Sequence, residues 1–320
     1  MHGIAVVGGG NMGRTHARAW SQLGLGEAIR FVCTPRPGAA FPHAPSARLV
    51  SDFDEVLADP MVDLVSVCTP TPAHADLAIR SLRAGRHVLL EKPIALRLDD
   101  AEAIAAAARE SSGIVMVAHV VRFFSGYRRV RADAESGRLG VIREVRASRL
   151  SATPTWSQWL TDDARSGGML VDFAIHDFDQ LNLLLGRPVS VSTVERGGIR
   201  RFETTVEYAD GGVGHVVTCG EMPAGTSFSS SLDVVGSVGT ASCRVPEAAP
   251  DDPFTRQAES FLRSVDAGTV PEVSISSAIC ALQVALAARE SLHTGRAVDV
   301  SSATPEPPVT NRTIRTRLGQ

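Results

Sequence analysis

The sequence predicts an α/β fold: a doubly wound parallel sheet first, then an α+β part built on a mainly antiparallel sheet. Three observations predict it. Short apolar, β-branched runs alternate with helical patterns through residues 1–120, as parallel strands with covering helices do. A glycine-rich turn, Gly8-Gly9-Gly10-Asn11-Met12-Gly13, follows the first of those runs directly. Between residues 189 and 245 successive strand-like runs are broken by Asp210-Gly211-Gly212 and Gly236-Ser237, the punctuation of antiparallel hairpins.

Taken in order, residues 4–7 form the first strand, and a helix follows the glycine turn as far as Leu23. Residues 29–33 give a second strand, and residues 64–68 a third, apolar enough to be buried on both faces. A helix over 75–84 stops at Gly85, whose missing Cβ suits a left-handed cap. Residues 87–90 are a strand ending at Glu91-Lys92-Pro93. Asp99 and Asp100 open an alanine-rich helix, their charges meeting the positive end of its dipole. It ends near Gly113, and a strand over 114–118 follows. Such short units fit only right-handed crossovers.

Beyond residue 120 the pattern changes to a helix over 127–135, a strand over 141–150 and an irregular stretch over 153–163. A helix over 170–185 precedes the hairpins, two more over 255–265 and 277–292 follow them, and residues 297–300 can form a last strand. Residues 301–320 carry prolines, serines and threonines without apolar periodicity and are expected to be disordered. The expected division is therefore 1–120, 121–300 and a tail.

Composition narrows the function classes. Hydrophobic residues at 44% and charged residues at 21% are globular values. A net charge of -3 gives no footprint for nucleic acid or an anionic membrane. The five cysteines are widely spaced, with no Cys-x-x-Cys pair, and read as core residues of a reducing compartment. No signal peptide or membrane-crossing run is expected, so a cytoplasmic protein is.

In the glycine turn, Gly8 permits the tight turn, Gly10 lets backbone approach a pyrophosphate, and Gly13 lets helix pack on strand. Amides of Asn11 and Met12 at the helix start then face phosphate. The carboxylate that binds the ribose of NAD, usually some twenty residues on, is missing. Cys33-Thr34-Pro35-Arg36 stands there instead. Thr34 and Arg36 suit a 2′-phosphate, so NADP is the expected cofactor ahead of NAD. The alternative is an Arg36 that stacks on adenine or lies in solvent.

Two further groups carry chemistry. Lys92 falls at the carboxyl end of a parallel strand, where open α/β sheets place ligands. In Gly167-Gly168-Met169-Leu170-Val171-Asp172-Phe173-Ala174-Ile175-His176-Asp177-Phe178-Asp179, helical spacing puts Asp172 and His176 on one face, with Asp179 three beyond. Imidazole titrates in the range that proton exchange with an alcohol needs. A buried structural histidine and a metal site are the other readings. Metal ranks last, because no Cys or further His accompanies the group.

Together the glycine turn, Thr69-Pro70-Thr71-Pro72-Ala73-His74, Ala84-Gly85-Arg86-His87-Val88-Leu89-Leu90-Glu91-Lys92-Pro93, Arg122-Phe123 with Tyr127, and the Gly167-to-Asp179 run resemble the Gfo/Idh/MocA oxidoreductases. The last run looks most like inositol dehydrogenases. The resemblance implies a Rossmann domain, then a large open sheet used for homodimer or homotetramer contacts, and a cis peptide before Pro93. It also implies catalysis by Lys92, Asp172 and His176. His176 would exchange a proton with the substrate oxygen, Lys92 polarise that oxygen, and Asp172 orient and charge the site. Thr69, Pro70, His74 and Glu91 would lie on the nicotinamide side, although His74 can equally be a helix-start residue.

His119, at the end of the 114–118 strand, is either a substrate contact or a histidine bonded to backbone; Arg122 is placed with the substrate residues. Trp156, Gln158 and Trp159 suit stacking and hydrogen bonding on a polyhydroxylated ring, or cover a helix from solvent. A polyol or sugar-like substrate is the expectation. The alternatives are a non-catalytic NAD(P)-binding regulator and a glycosidase that oxidises and re-reduces its substrate on bound NAD.

Overall fold

The computed structural model describes residues 2–35, 41–153, 162–246 and 252–300. Arg36, Trp156, Gln158, Trp159 and the tail 301–320 lie outside the described residues.

The first sheet is parallel, in the order β3-β2-β1-β4-β5-β6. Its strands are β1 (Ile4–Val7), β2 (Ile29–Cys33), β3 (Arg48–Val50), β4 (Leu64–Val67), β5 (His87–Leu90) and β6 (Val115–Val117). Every residue of β1 and β4 is buried, as continuous apolar runs covered on both faces must be. The covering helices are α1 (Asn11–Gln22), α2 (Phe53–Ala58), α3 (His74–Arg83) and α4 (Leu98–Glu110). From β1 the chain winds outward to β3, then crosses back to β4 on the other side of β1. That reversal opens a crevice at the carboxyl ends of β1 and β4.

Sequence reasoning passed over β3 and α2. Two of the three β3 residues are exposed at the sheet edge, and an edge strand that short carries no clear apolar pattern. Helix α2 is capped by Asp52, which accepts from the Asp54 amide, and is only 6 residues long.

After α5 (Ser125–Glu135), the second sheet comprises β7 (Ile142–Ala152), β8 (Pro188–Arg196), β9 (Arg201–Tyr208), β10 (Val213–Met222), β11 (Ser229–Gly236), β12 (Thr240–Val245) and β13 (Val298–Asp299). Its order is β12-β11-β7-β10-β9-β8-β13. The β7–β10 pair is parallel, with Glu144 opposite Val213 and Leu150 opposite Cys219, and all other pairs are antiparallel. In β9, Phe202, Thr204, Val206 and Tyr208 are buried while their neighbours are not, the period of two that a half-covered sheet requires.

Between β7 and β8 lie α6 (Asp163–Ser166) and α7 (Ile175–Leu185), and after β12 come α8 (Pro253–Ala267) and α9 (Ile275–Thr294). Helices α7 and α9 pack on each other and on the inner face of the second sheet. Among the described residues, α9 is the one helix long and apolar enough to cross a membrane, by length and composition alone. It is mostly buried inside the molecule, which marks a core helix.

Helix α8 returns to the first half of the molecule. It packs along α1, with Trp20 and Phe261 edge to face at 6.5 Å. The Thr255 hydroxyl donates to Gln22 at 2.6 Å. Edge strand β6 is backed in turn by the Val117 amide donating to the Val273 carbonyl.

The helix expected over 170–185 is two pieces. Residues Met169–Phe173 form a π-helical turn, and the α-helix proper begins at Ile175. Gly167 and Gly168 before it both have positive φ. The four-residue spacing of Asp172 and His176 therefore spans a change of helical pitch, and their relation is set by packing.

Candidate active site

The crevice between β1 and β4 is shaped by glycine. Gly8 has φ +112°, and a Cβ there would lie 2.5 Å from the Cys68 carbonyl oxygen. A Cβ on Gly13 would lie 1.8 Å from the Gly8 carbonyl oxygen, so strand, turn and helix close together only with glycine at both positions. Around Gly10 the space is open, with nothing within 4 Å of where a Cβ would stand. Helix α1 starts there with no side-chain cap and no acidic residue in its first turn. Asn11 is exposed at that start and Met12 is half-buried. Thr69, after β4, keeps a buried hydroxyl with no partner. Open space, uncapped amides and an orphaned hydroxyl along one crevice fit a dinucleotide with its pyrophosphate at the helix start.

On the adenosine side, the Thr34 amide donates to the Val50 carbonyl at 2.9 Å, and its side chain lies against Gly9. No carboxylate follows β2 directly; the acidic groups acting on Cys33 are Asp52 and Glu55, which come after β3. Burial first, then those two carboxylates, push the Cys33 thiol up to about 11.

Lys92 follows β5, beside a cis peptide to Pro93, as the family resemblance implies. Its Nζ donates to the Asp172 backbone oxygen at 2.7 Å and to Asp172 Oδ1 at 2.9 Å. The π-helical turn presents carbonyl and carboxylate of one residue to one ammonium, a use of irregular helix common at functional sites. Lys92 and Asp172 each keep about a sixth of their side chains exposed, so the pair borders the cleft.

His176 is the second residue of α7, 8% exposed, with no hydrogen-bond partner at Nδ1. Its imidazole is held well below the ordinary histidine range, by burial first and then by Lys92, Arg149 and His119. The adjoining ring is His119, whose centroid is 5.9 Å away with the two planes at 86°. His119 is fully buried and neither of its nitrogens has a partner. Burial lowers it to about 4, opposed by Asp179 and supported by Arg122 and Lys92.

Several expected ligand contacts are turned inward. The His74 ring nitrogens face the Pro93 oxygen at 2.9 Å and the Thr69 oxygen at 3.0 Å. Both edges are thus used, and His74 fastens the Thr69-Pro70 loop to the segment that follows Lys92. Burial lowers its pKa, against the pull of those two carbonyls. Pro70 itself is exposed.

Glu91, also expected on the cofactor, is 6% exposed. It accepts from His16 Nε2 at 3.0 Å and from the Lys92 amide at 3.1 Å. Burial opposes a proton on His16, but Cys68 and then Glu91 outweigh it and raise the imidazole to about 10.

Arg122, expected at the substrate, binds both oxygens of Asp179 and donates to the Glu272 carbonyl. At 3% exposed it ties α7 to the segment before α9. Asp179 is correspondingly buried and paired. Although burial opposes it, Arg122 and His119 hold its carboxyl below the usual range.

One supporting pair escaped sequence reasoning altogether. Arg149 of β7 grips Asp177, next to His176, through Nε and Nη2, both at 2.9 Å. Its guanidinium lies 5.6 Å from the ring centroids of Phe173 and of Phe228, a cation–π arrangement. An arginine inside an outwardly alternating strand pattern gave the only sign of it. Among the described residues, no group of three or more His, Cys, Asp or Glu is arranged to hold a metal ion.

Comparison with known proteins follows the same outline. The family model described as "Oxidoreductase family, NAD-binding Rossmann fold" matches residues 2–119, and the GFO/IDH/MocA C-terminal domain model matches residues 127–242. Inositol 2-dehydrogenase of Rhizobium meliloti is 27% identical over 93% of this chain and 99% of its own. A crystal structure of a putative myo-inositol dehydrogenase from Sinorhizobium meliloti superposes with TM-score 0.80 at 26% identity, covering 94% of this chain and 100% of that one. Levoglucosan dehydrogenase in complex with NADH and L-sorbose shares the fold with TM-score 0.80 at 20% identity, over 93% of this chain and 98% of its own.

Proposed function

The chain belongs to the Gfo/Idh/MocA oxidoreductases, and from that premise we propose that it moves a hydride between a nicotinamide cofactor and a hydroxyl-bearing ring carbon of a cyclitol or sugar. The observation that carries this reading is Lys92 Nζ, fixed by the backbone oxygen and Oδ1 of Asp172 at the cleft, with His176 on the next helical segment. The nicotinamide, when bound along the Gly8–Gly13 crevice, supplies the hydride acceptor or donor. The protein's own residues do the rest. Lys92 hydrogen-bonds the substrate oxygen and stabilises charge gathering there. Asp172 holds Lys92 in place. His176 takes the hydroxyl proton in oxidation and returns it in reduction.

Support for the substrate class comes from the relatives, which are named for inositols, 1,5-anhydro-D-fructose and D-glucosides. The finer reading of the cofactor, a preference for NADP, is supported by the missing carboxylate after β2 and by Thr34 and Arg36 in that place. Arg36→Ala is expected to weaken NADPH binding at least tenfold more than NADH binding; equal losses would leave NAD as the cofactor. Trp156 and Trp159 belong to the same proposal as ring-stacking residues. So does a cytoplasmic homodimer or homotetramer formed through the outer face of the second sheet.

The test is a turnover screen of cyclitols, aldoses and keto-sugars with both cofactors, run on wild type, Lys92→Ala and His176→Ala. Both variants are expected to lose turnover by roughly a hundredfold or more while binding reduced cofactor normally. Near-normal turnover in His176→Ala would remove that residue from the chemistry. Cofactor binding without turnover on any substrate would favour the regulator.

A further inference from the structure

Asp172 and His176 stand on either side of a break in helical pitch. Asp172 is in the π-helical turn over Met169–Phe173, and His176 is the second residue of α7. A change of pitch leaves their separation and facing undefined by helix geometry alone. Gly167 and Gly168, which lead into the turn with positive φ, bring no side chain to hold it. One side chain touches both pieces. Arg149, on β7, binds Asp177 through Nε and Nη2, both at 2.9 Å, and Asp177 directly follows His176. The same guanidinium lies 5.6 Å from the ring centroid of Phe173, which directly follows Asp172. Phe228 lies at the same distance and meets Phe173 edge to face at 6.3 Å, so the guanidinium plane is held as well as its fork. Arg149 is 3% exposed and Asp177 fully buried. A buried ion pair gives little net stability over an apolar pair of the same volume, because both charges lose their water. What the planar fork adds is direction.

We propose that Arg149 is a positioning residue for the reaction: it clamps the junction of the π-helical turn and α7, and so sets where Asp172, with its hold on Lys92, stands relative to His176. Arg149 acts through Phe173 and Asp177, the chain neighbours of those two residues, and not by meeting substrate or cofactor. The next turn of α7 is tied separately, with Arg122 gripping Asp179, so a loosened clamp frees the junction and leaves the helix in place. The charge of Arg149 also acts against a proton on His176. Lysine at position 149 separates the two effects, because it keeps the charge and loses the planar fork. This inference rests on Lys92, Asp172 and His176 as the groups of the proposed dehydrogenase.

Three variants test it in the full-length protein with the best alcohol substrate. Arg149→Lys is expected to lower kcat roughly tenfold or more, with KM and cofactor Kd within about twofold of wild type. The primary isotope effect on kcat, with substrate deuterated at the reacting carbon, should rise, because the slowed step is the chemical one. A crystal structure of this variant should show Asp172 and His176 displaced against each other. Arg149→Met combined with Asp177→Leu removes both buried charges; it is expected to keep a Tm near that of wild type while kcat stays low. Phe228→Leu, at a ring 38% exposed, leaves the ion pair intact and should lower kcat by roughly threefold. Wild-type kcat in the paired variant would mean that the pair serves stability alone, and would overturn the proposal. An unmoved junction in Arg149→Lys would overturn it too, whatever the kcat. If both Arg149 variants fail to fold, Phe228→Leu decides, and wild-type kcat there removes the clamp. Should Lys92→Ala and His176→Ala be inactive while Arg149→Lys turns over as wild type, the clamp fails and the dehydrogenase reading stands. Should the junction shift with no loss of turnover, the roles given to Asp172 and His176 fail as well.

Discussion

Lys92 donates to two oxygens of one residue, and the two bonds separate under mutation. Asp172→Asn removes the charge and leaves the backbone oxygen at 2.7 Å in place. A lower kcat, by roughly ten- to a hundredfold, with nearly unchanged cofactor affinity is expected, because charge-assisted bonds are the stronger kind. Steady-state kinetics beside a cofactor titration would read both; loss of cofactor binding would mean that Asp172 shapes the crevice. Asp179→Asn behaves differently. It strands the Arg122 guanidinium, 3% exposed, and is expected to destabilise the protein by about 3–5 kcal/mol in denaturant unfolding. At this scale the sequence was legible where motif residues meet in the structure, as Lys92 and Asp172 do. Partners far apart in the chain were not, such as His16 with Glu91, 75 positions on, or Arg149 with Asp177, 28 on. Motif reading also did not give the protein partners of His74, Glu91 and Arg122, since polar residues at a strand end look alike whether they face a crevice or each other.

Strand, turn and helix at the first crevice form one unit, and Gly13→Ala tests its tightness. The added Cβ would meet the Gly8 carbonyl oxygen at 1.8 Å, so α1 must back away from β1. Weaker binding of reduced cofactor, tenfold or more, is expected from fluorescence titration, with a stability loss of about 1–3 kcal/mol. Unchanged affinity would mean that the helix start does not hold the pyrophosphate. Apolar runs such as β1 and β4 were legible because full burial leaves no polar alternation to confuse. Edge strand β3, half-exposed and three residues long, was not. The π-helical turn over Met169–Phe173 was hidden for another reason. Its apolar spacing within one turn is the same as that of an α-helix, and only the surrounding packing sets the pitch.

For the whole molecule, buried histidines tie stability to pH in two directions. His119 titrates near 4 when folded, against about 6.5 when unfolded. Between those values the unfolded chain binds more protons, so stability falls as pH drops, by on the order of 3 kcal/mol for this one group. Burial places His176 and His74 on the same acid limb. His16 is raised to about 10, and its contribution is present below the unfolded value and lost as pH rises through 10. Thermal unfolding across this range should show a maximum near neutral pH, with His119→Gln flattening the acid side alone. A Tm independent of pH between 4 and 6.5 would mean that these rings titrate normally in the folded protein. The two sheets and their order along the chain were legible as a change in periodicity near residue 120. The return of α8 to α1 was not, because an amphipathic helix does not state which surface it will cover.

That return sets the order in which the protein can be completed. Trp20 and the α1 face around it are covered by Phe261 and α8, and the edge at β6 by Val273, all made long after the strands they protect. A chain leaving the ribosome therefore carries its nucleotide-binding half with an apolar side uncovered until nearly the last helix has emerged. Chains cut short before α8 should depend on chaperones and be cleared quickly.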